Sequence, residues 1–126
     1  MDSMKFIPSG DPSLPFSSSV TTNGIVYLSG NIGIRADGTL PDGLEAQSRL
    51  ALDNMVAALA RAGCGLDDVI KCTIMLADMR QWGAFNAIYM TYFSAGRLPA
   101  RSAFGTSGLA LGALVEVECI ARERGP

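Results

Sequence analysis

Residues 114–122 alternate without a break: Val115, Val117, Cys119 and Ala121 fall on one side, and Leu114, Glu116, Glu118 and Ile120 on the other. A period of two belongs to a β-strand, because successive side chains leave opposite faces of the pleat. One side is wholly apolar and the other carries two carboxylates, so the sheet must be covered on one face. Lys71 and Thr73 alternate in the same way against Ile70, Cys72, Ile74 and Leu76, in a strand expected over 69–77.

Two helical patterns can supply the cover. Asp42 followed by Glu45 reads as an N-cap with its capping-box partner, and Gly63 offers the left-handed residue that ends a helix. Between them Leu44, Leu52, Met55, Val56 and Leu59 form one stripe, with Gln47, Arg49, Asp53 and Arg61 elsewhere. A second helix opens at Asp78, with Gln81 three residues on, and runs to Gly96. Its Trp82, Phe85, Ile88, Tyr89, Tyr92 and Phe93 recur at helical spacing and read as core.

Upstream, Pro8, Gly10, Pro12 and Pro15 mark an extended arm, followed by a strand, an Asn23-Gly24 hairpin turn and a return strand at 25–28. Leu98-Pro99-Ala100-Arg101 turns into a strand near 102–106. The order β-β-α-β-α-β-β predicts one α+β domain spanning residues 1–126. Its architecture is a two-layer sandwich: a mostly antiparallel mixed sheet with two helices on one face.

Composition narrows the chemistry. The chain has no histidine, which removes His-based triads, Cys-His pairs and nearly all catalytic zinc and iron sites. A net charge of −2 with no basic run argues against a nucleic-acid surface. Cys64, Cys72 and Cys119 lack CxxC spacing and are odd in number, as expected for reduced, buried thiols. The Met1-Asp2-Ser3-Met4-Lys5 start has no signal-peptide pattern, and no apolar run approaches a membrane span, so a cytoplasmic location is expected. The 48% hydrophobic content is rich for a monomer and points to apolar surface buried between subunits.

Three features could carry chemistry. Arg101 follows a proline turn at a strand edge, where a guanidinium suits a carboxylate or a surface ion pair. Glu116 and Glu118 share a strand face, which is either solvated or places one of them to activate water. Ser29-Gly30-Asn31 closes a strand with a glycine that admits a ligand to the backbone. No GxGxxG or GxxxxGK[ST] loop is present.

Ser29-Gly30, Ala51-Leu52-Asp53-Asn54, Asn86 with Tyr89, Pro99-Ala100-Arg101-Ser102 and the closing Val115-Glu116-Val117-Glu118-Cys119-Ile120-Ala121 together resemble the RidA (YjgF) family of enamine/imine deaminases. That resemblance implies a chorismate-mutase-like fold and a homotrimer with a cleft at each subunit boundary. It implies hydrolysis of 2-imino or enamino acids to 2-ketoacids and ammonia, with no metal or cofactor. Arg101 would bind the carboxylate of a small metabolite, aided by the Gly30 N–H. Ser29 and Asn86 would line the cleft, and Glu116 would position water together with the Ala103 carbonyl. The family usually carries tyrosine where this chain has Phe16 and often cysteine where it has Ala103, which implies shifted preference or reduced activity. Two other readings stay open: a catalytically silent metabolite-binding trimer, and an endoribonuclease, which the acidic charge and missing histidine disfavour.

Overall fold

The computed structural model describes residues 3–124; Met1 and Asp2, part of the amino-terminal reading above, lie outside the described residues. Its strands are β1 (Lys5–Pro8), β2 (Ser17–Thr22), β3 (Ile25–Leu28), β4 (Asn31–Ile32), β5 (Val69–Leu76), β6 (Ala100–Gly105) and β7 (Val115–Arg122). The helices are α1 (Leu44–Arg61) and α2 (Trp82–Tyr89). One sheet runs in the order β1-β2-β3-β7-β5-β6, with β4 also paired to β7. The expected two-layer α+β sandwich is what forms, with β1 and β4 as additional strands.

The alternating strand β7 lies in the middle, antiparallel to β3, β4 and β5. Only β5 and β6 are parallel, joined through α2. Register places Cys72 opposite Cys119, Ile74 opposite Val117 and Leu76 opposite Val115, and all six are buried beneath the helices. All three cysteines are free and buried. Val26, Leu52, Met55, Leu59 and Phe85 complete the fully buried core. Truncating Phe85 to alanine would cost about 3–5 kcal/mol at such a site.

The start of α1 differs from expectation. Its N-cap is Gly43, at φ 86°, with no side-chain cap, so Asp42 and Glu45 form no capping box. The far end matches: Gly63, at φ 80°, donates to the Ala60 carbonyl (3.0 Å) while Cys64 N–H donates to Leu59 (2.8 Å), a Schellman closure. Gln47, expected off the apolar stripe, is buried. Its Nε2 donates to the Pro41 carbonyl (3.0 Å) and its Oε1 accepts from Leu114 N–H (2.8 Å), so both amide ends are satisfied. Asn54 Nδ2 donates to the carbonyls of Ile32 and Ile34, both at 3.0 Å, and ties the β4 loop to α1.

The second helical segment also departs from expectation. Asp78 caps a 3₁₀ turn, Met79–Gln81, accepting from Arg80 N–H at 2.9 Å, and α2 proper starts at Trp82 and ends at Tyr89 rather than near Gly96. Trp82 is 47% exposed, so it is not core, whereas Phe85, Ile88, Tyr89 and Phe93 are. Ile70, expected on the apolar face, is turned outward at a bulge between Val69 and Lys71 that breaks the alternation.

A buried carboxylate locks the end of β7 to the turn before β5. Asp68 accepts from Gly65 N–H (2.9 Å), Arg122 Nε (3.3 Å) and Arg124 Nε (2.8 Å), with its side chain 2% exposed. The Gly65 hydrogen bond and the two guanidinium groups hold its carboxyl below the usual carboxylate range, against the opposing effect of burial.

Candidate active site

Arg101 is paired with Cys72, so its side chain leaves the sheet on the helix-covered face. β6 is an edge strand, and the guanidinium therefore emerges beside α2 instead of under it. Trp82, Asn86 and Tyr89 stand at i, i+4 and i+7 and share one face of that helix. All three meet the guanidinium. Arg101 Nη2 donates to Asn86 Oδ1 at 2.7 Å, and Cζ lies 4.8 Å from the Tyr89 ring centroid and 5.9 Å from that of Trp82. The rings supply cation–π attraction and the amide fixes one fork nitrogen. The ion pairs among the described residues use Lys5, Arg80, Arg122 and Arg124, and none uses half-buried Arg101.

Glu116 is paired with Met75 and Ile32, on the opposite, helix-free face. A side chain on Gly30 would collide with Glu116 Oε2, so only glycine lets this carboxylate lie against the backbone there. Burial pushes the Glu116 carboxyl up, and the like charge of Glu118 adds to the shift. Ser29 Oγ donates to the Ser17 carbonyl at 2.6 Å, tying the end of β3 to the start of β2. Phe16 precedes Ser17 and is exposed, lining an open groove of about 330 Å³ with Phe6, Pro8 and Leu14.

These residues form two groups. Arg101 and Asn86 stand together, with Ala103 two residues along β6 on the same face, packed against the core. Glu116, Gly30 and Ser29 stand on the other side of the sheet's middle, and Phe16 lies further out, just before β2. Between Arg101 and Glu116 lie two strand spacings, about 10 Å, and three residues of register, about another 10 Å, with the side chains on opposite faces. Trp82 and Tyr89, expected as core on their helical spacing, also contact Arg101. Their shared helical face with Asn86 was the available signal. Among the described residues no group of three or more Cys, Asp or Glu stands close enough to hold a metal ion. No helix there is long and apolar enough to cross a membrane.

Comparison with known proteins decides the family. Residues 8–123 match the family described as endoribonuclease L-PSP. This chain belongs to that family, also called RidA or YjgF. Among RidA-family relatives, a mouse protein named 2-iminobutanoate/2-iminopropanoate deaminase is 41% identical over 109 residues, which cover 85% of this chain and 80% of the mouse protein. A solved Rid-family protein of unknown function from Yersinia pestis superposes with TM-score 0.88 at 38% identity, over 95% of this chain and 99% of that one. RidA from an Antarctic Psychrobacter gives TM-score 0.84 at 29% identity, over 92% and 93% of the two chains.

Within the RidA family frame, the geometry defines what each group can do. An arginine with a fixed fork and no acidic partner offers its remaining donors to a carboxylate. A partly buried glutamate of raised basicity, held against a glycine backbone, can take a proton from water.

Proposed function

We propose that the chain is one RidA-like domain that hydrolyses 2-imino acids, and their enamine tautomers, to 2-ketoacids and ammonia in the cytoplasm. The observation that carries this reading is Arg101: a half-buried guanidinium oriented by Asn86 and Tyr89 and free of any carboxylate among the described residues. The deaminase names of similar proteins give the reaction class.

Arg101 anchors the substrate carboxylate, and the Gly30 N–H assists. A protonated imine is already electrophilic, so orientation and a water molecule suffice. Water oxygen bonds to C2 as one of its protons passes to Glu116, and the C=N π pair moves onto nitrogen. The carbinolamine nitrogen then takes that proton, the C–N bond breaks, and C=O forms. The hydroxyl proton leaves with nitrogen, so iminium and water become ketone and ammonium. The Ala103 carbonyl helps hold the water.

Because Arg101 and Glu116 face opposite ways, we place the working cleft between two copies of a homotrimer. Phe6, Tyr27 and Phe104 are exposed on the helix-free face and provide apolar area for such contacts. Phe16 would reach the same boundary, where the family's tyrosine hydroxyl is missing.

The test is decay of freshly generated 2-iminopropanoate or 2-iminobutanoate with and without the protein. Acceleration that tracks protein concentration supports a deaminase. Binding of a 2-ketoacid without any acceleration would leave a metabolite-binding protein, and sedimentation equilibrium showing a monomer at micromolar concentration would remove the shared cleft.

A further inference from the structure

The environment of Arg101 is asymmetric. Tyr89 is buried beneath the guanidinium at 4.8 Å, and burial pushes its phenol far up, so it forms an uncharged aromatic floor. Trp82 lies at 5.9 Å and is 47% exposed, so it forms the rim. A half-exposed tryptophan leaves part of a large apolar plane in water beside the guanidinium. Asn86 occupies one nitrogen of the fork at 2.7 Å, which leaves a carboxylate to approach from the remaining edge. A carboxylate held there has its carbon chain only a few ångströms from its anchor, within reach of the indole.

We propose that Trp82 is a specificity-determining residue. Its indole forms the wall against which the side chain of an Arg101-anchored imino acid lies, selecting imines with bulky apolar side chains over those with methyl or ethyl groups. This rests on the deaminase reading above. Two further residues suit the same selection. Ala103, two residues along β6 from Arg101, brings only a methyl group, and Phe16 offers a ring without a hydroxyl. Neither adds a polar demand that a large apolar substituent would leave unmet.

The chain holds a single tryptophan, which makes the wall observable without turnover. Titrating the protein with 4-methyl-2-oxopentanoate, the product of the leucine-derived imine, should shift or quench Trp82 emission and bind more tightly than pyruvate. In activity, imines generated in situ by an L-amino-acid oxidase from leucine and from alanine are compared as a ratio of kcat/KM. Trp82→Ala should lower the leucine-to-alanine ratio by roughly tenfold or more, the worth of a few methylenes in an apolar pocket, while Trp82→Phe retains most of it. An equal loss on both substrates, leaving the ratio unchanged, would mean that Trp82 only steadies Arg101 and would overturn the proposal. Emission that ignores both ketoacids, with wild-type turnover intact, would also overturn it. No turnover of any imine by the wild type, despite ketoacid binding, removes the deaminase reading itself and this inference with it.

Discussion

Arg101 and Glu116 project from opposite faces of one sheet, separated by β5 and by three residues of register. No rotamer of either side chain closes that gap within one chain. In the proposed trimer each cleft draws Arg101 from one copy and Glu116 from the next. Two dead variants must then rescue each other. Co-assembly of Arg101→Ala and Glu116→Gln chains at equal amounts should restore about one site in four, since random mixing pairs an intact arginine with an intact glutamate that often. Activity of the mixture no higher than that of either variant alone would show that the two residues do not share a boundary.

Arg101→Lys keeps the charge but loses the planar fork that Asn86 and the two rings hold. Imine kcat/KM should fall by about 100-fold or more, the size of effect that misplacing a substrate produces. Near wild-type turnover in this variant would contradict the carboxylate anchor.

Glu116→Gln should lower turnover by roughly 100- to 10,000-fold while ketoacid affinity, measured by calorimetry, largely survives. Glu118→Gln should be far milder. With Glu116 as the proposed base, activity should decline as pH falls through its raised pKa, whose first cause is burial and second is Glu118. Removing the Glu118 charge therefore moves that acid limb to lower pH. The stability sign runs the other way: a carboxyl with a raised folded-state pKa costs stability once it ionises, so Glu116→Gln should melt no earlier than wild type above neutral pH. An earlier melt would show that the charge is structural.

Asp68→Asn breaks the knot between β7 and the turn before β5. We expect a loss of about 1–3 kcal/mol in denaturant unfolding, because the Arg122 and Arg124 guanidinium groups lose their charged acceptor. The Asp68 pKa is depressed in the fold, so its contribution is present above the unfolded carboxylate pKa and is lost as pH falls through the folded value. Wild type and variant should therefore converge in acid. A difference that persists unchanged at low pH would assign the effect to shape instead of charge.

Much of the fold was legible because local signals and burial agreed. The alternation of β7, the Asn23-Gly24 turn and the Gly63 helix stop each reported a backbone geometry that one residue type or one period imposes. What escaped were places where a tertiary partner overrides the local pattern. Gln47 is polar yet buried, because the Pro41 carbonyl and the Leu114 N–H come from distant segments. Trp82 fits an apolar stripe yet stays exposed, because its neighbour is a charged edge residue. Ile70 obeys the period of two until a bulge reverses it. Arg101 and Glu116 stood out as candidates, but their roles came through the family resemblance, since neither stands in a spacing that announces its use. That the two face opposite ways followed only from strand register, which a single sequence does not print.

The anchor half of the site is contiguous in the chain: Trp82, Asn86, Tyr89 and Arg101 belong to one crossover that leaves β5 and returns as β6. The proposed base, Glu116, stands instead on the last strand, against Gly30 at the end of the β2–β3 hairpin. On the proposed reading, the side chains that recognise the substrate and the one that takes the proton are written in separate stretches of the gene. Mutations in α2 can then retune which molecule is held without disturbing the base that activates the attacking water. Exchanging residues 78–105 between two relatives of differing preference should carry the preference across and leave the hydrolytic step behind.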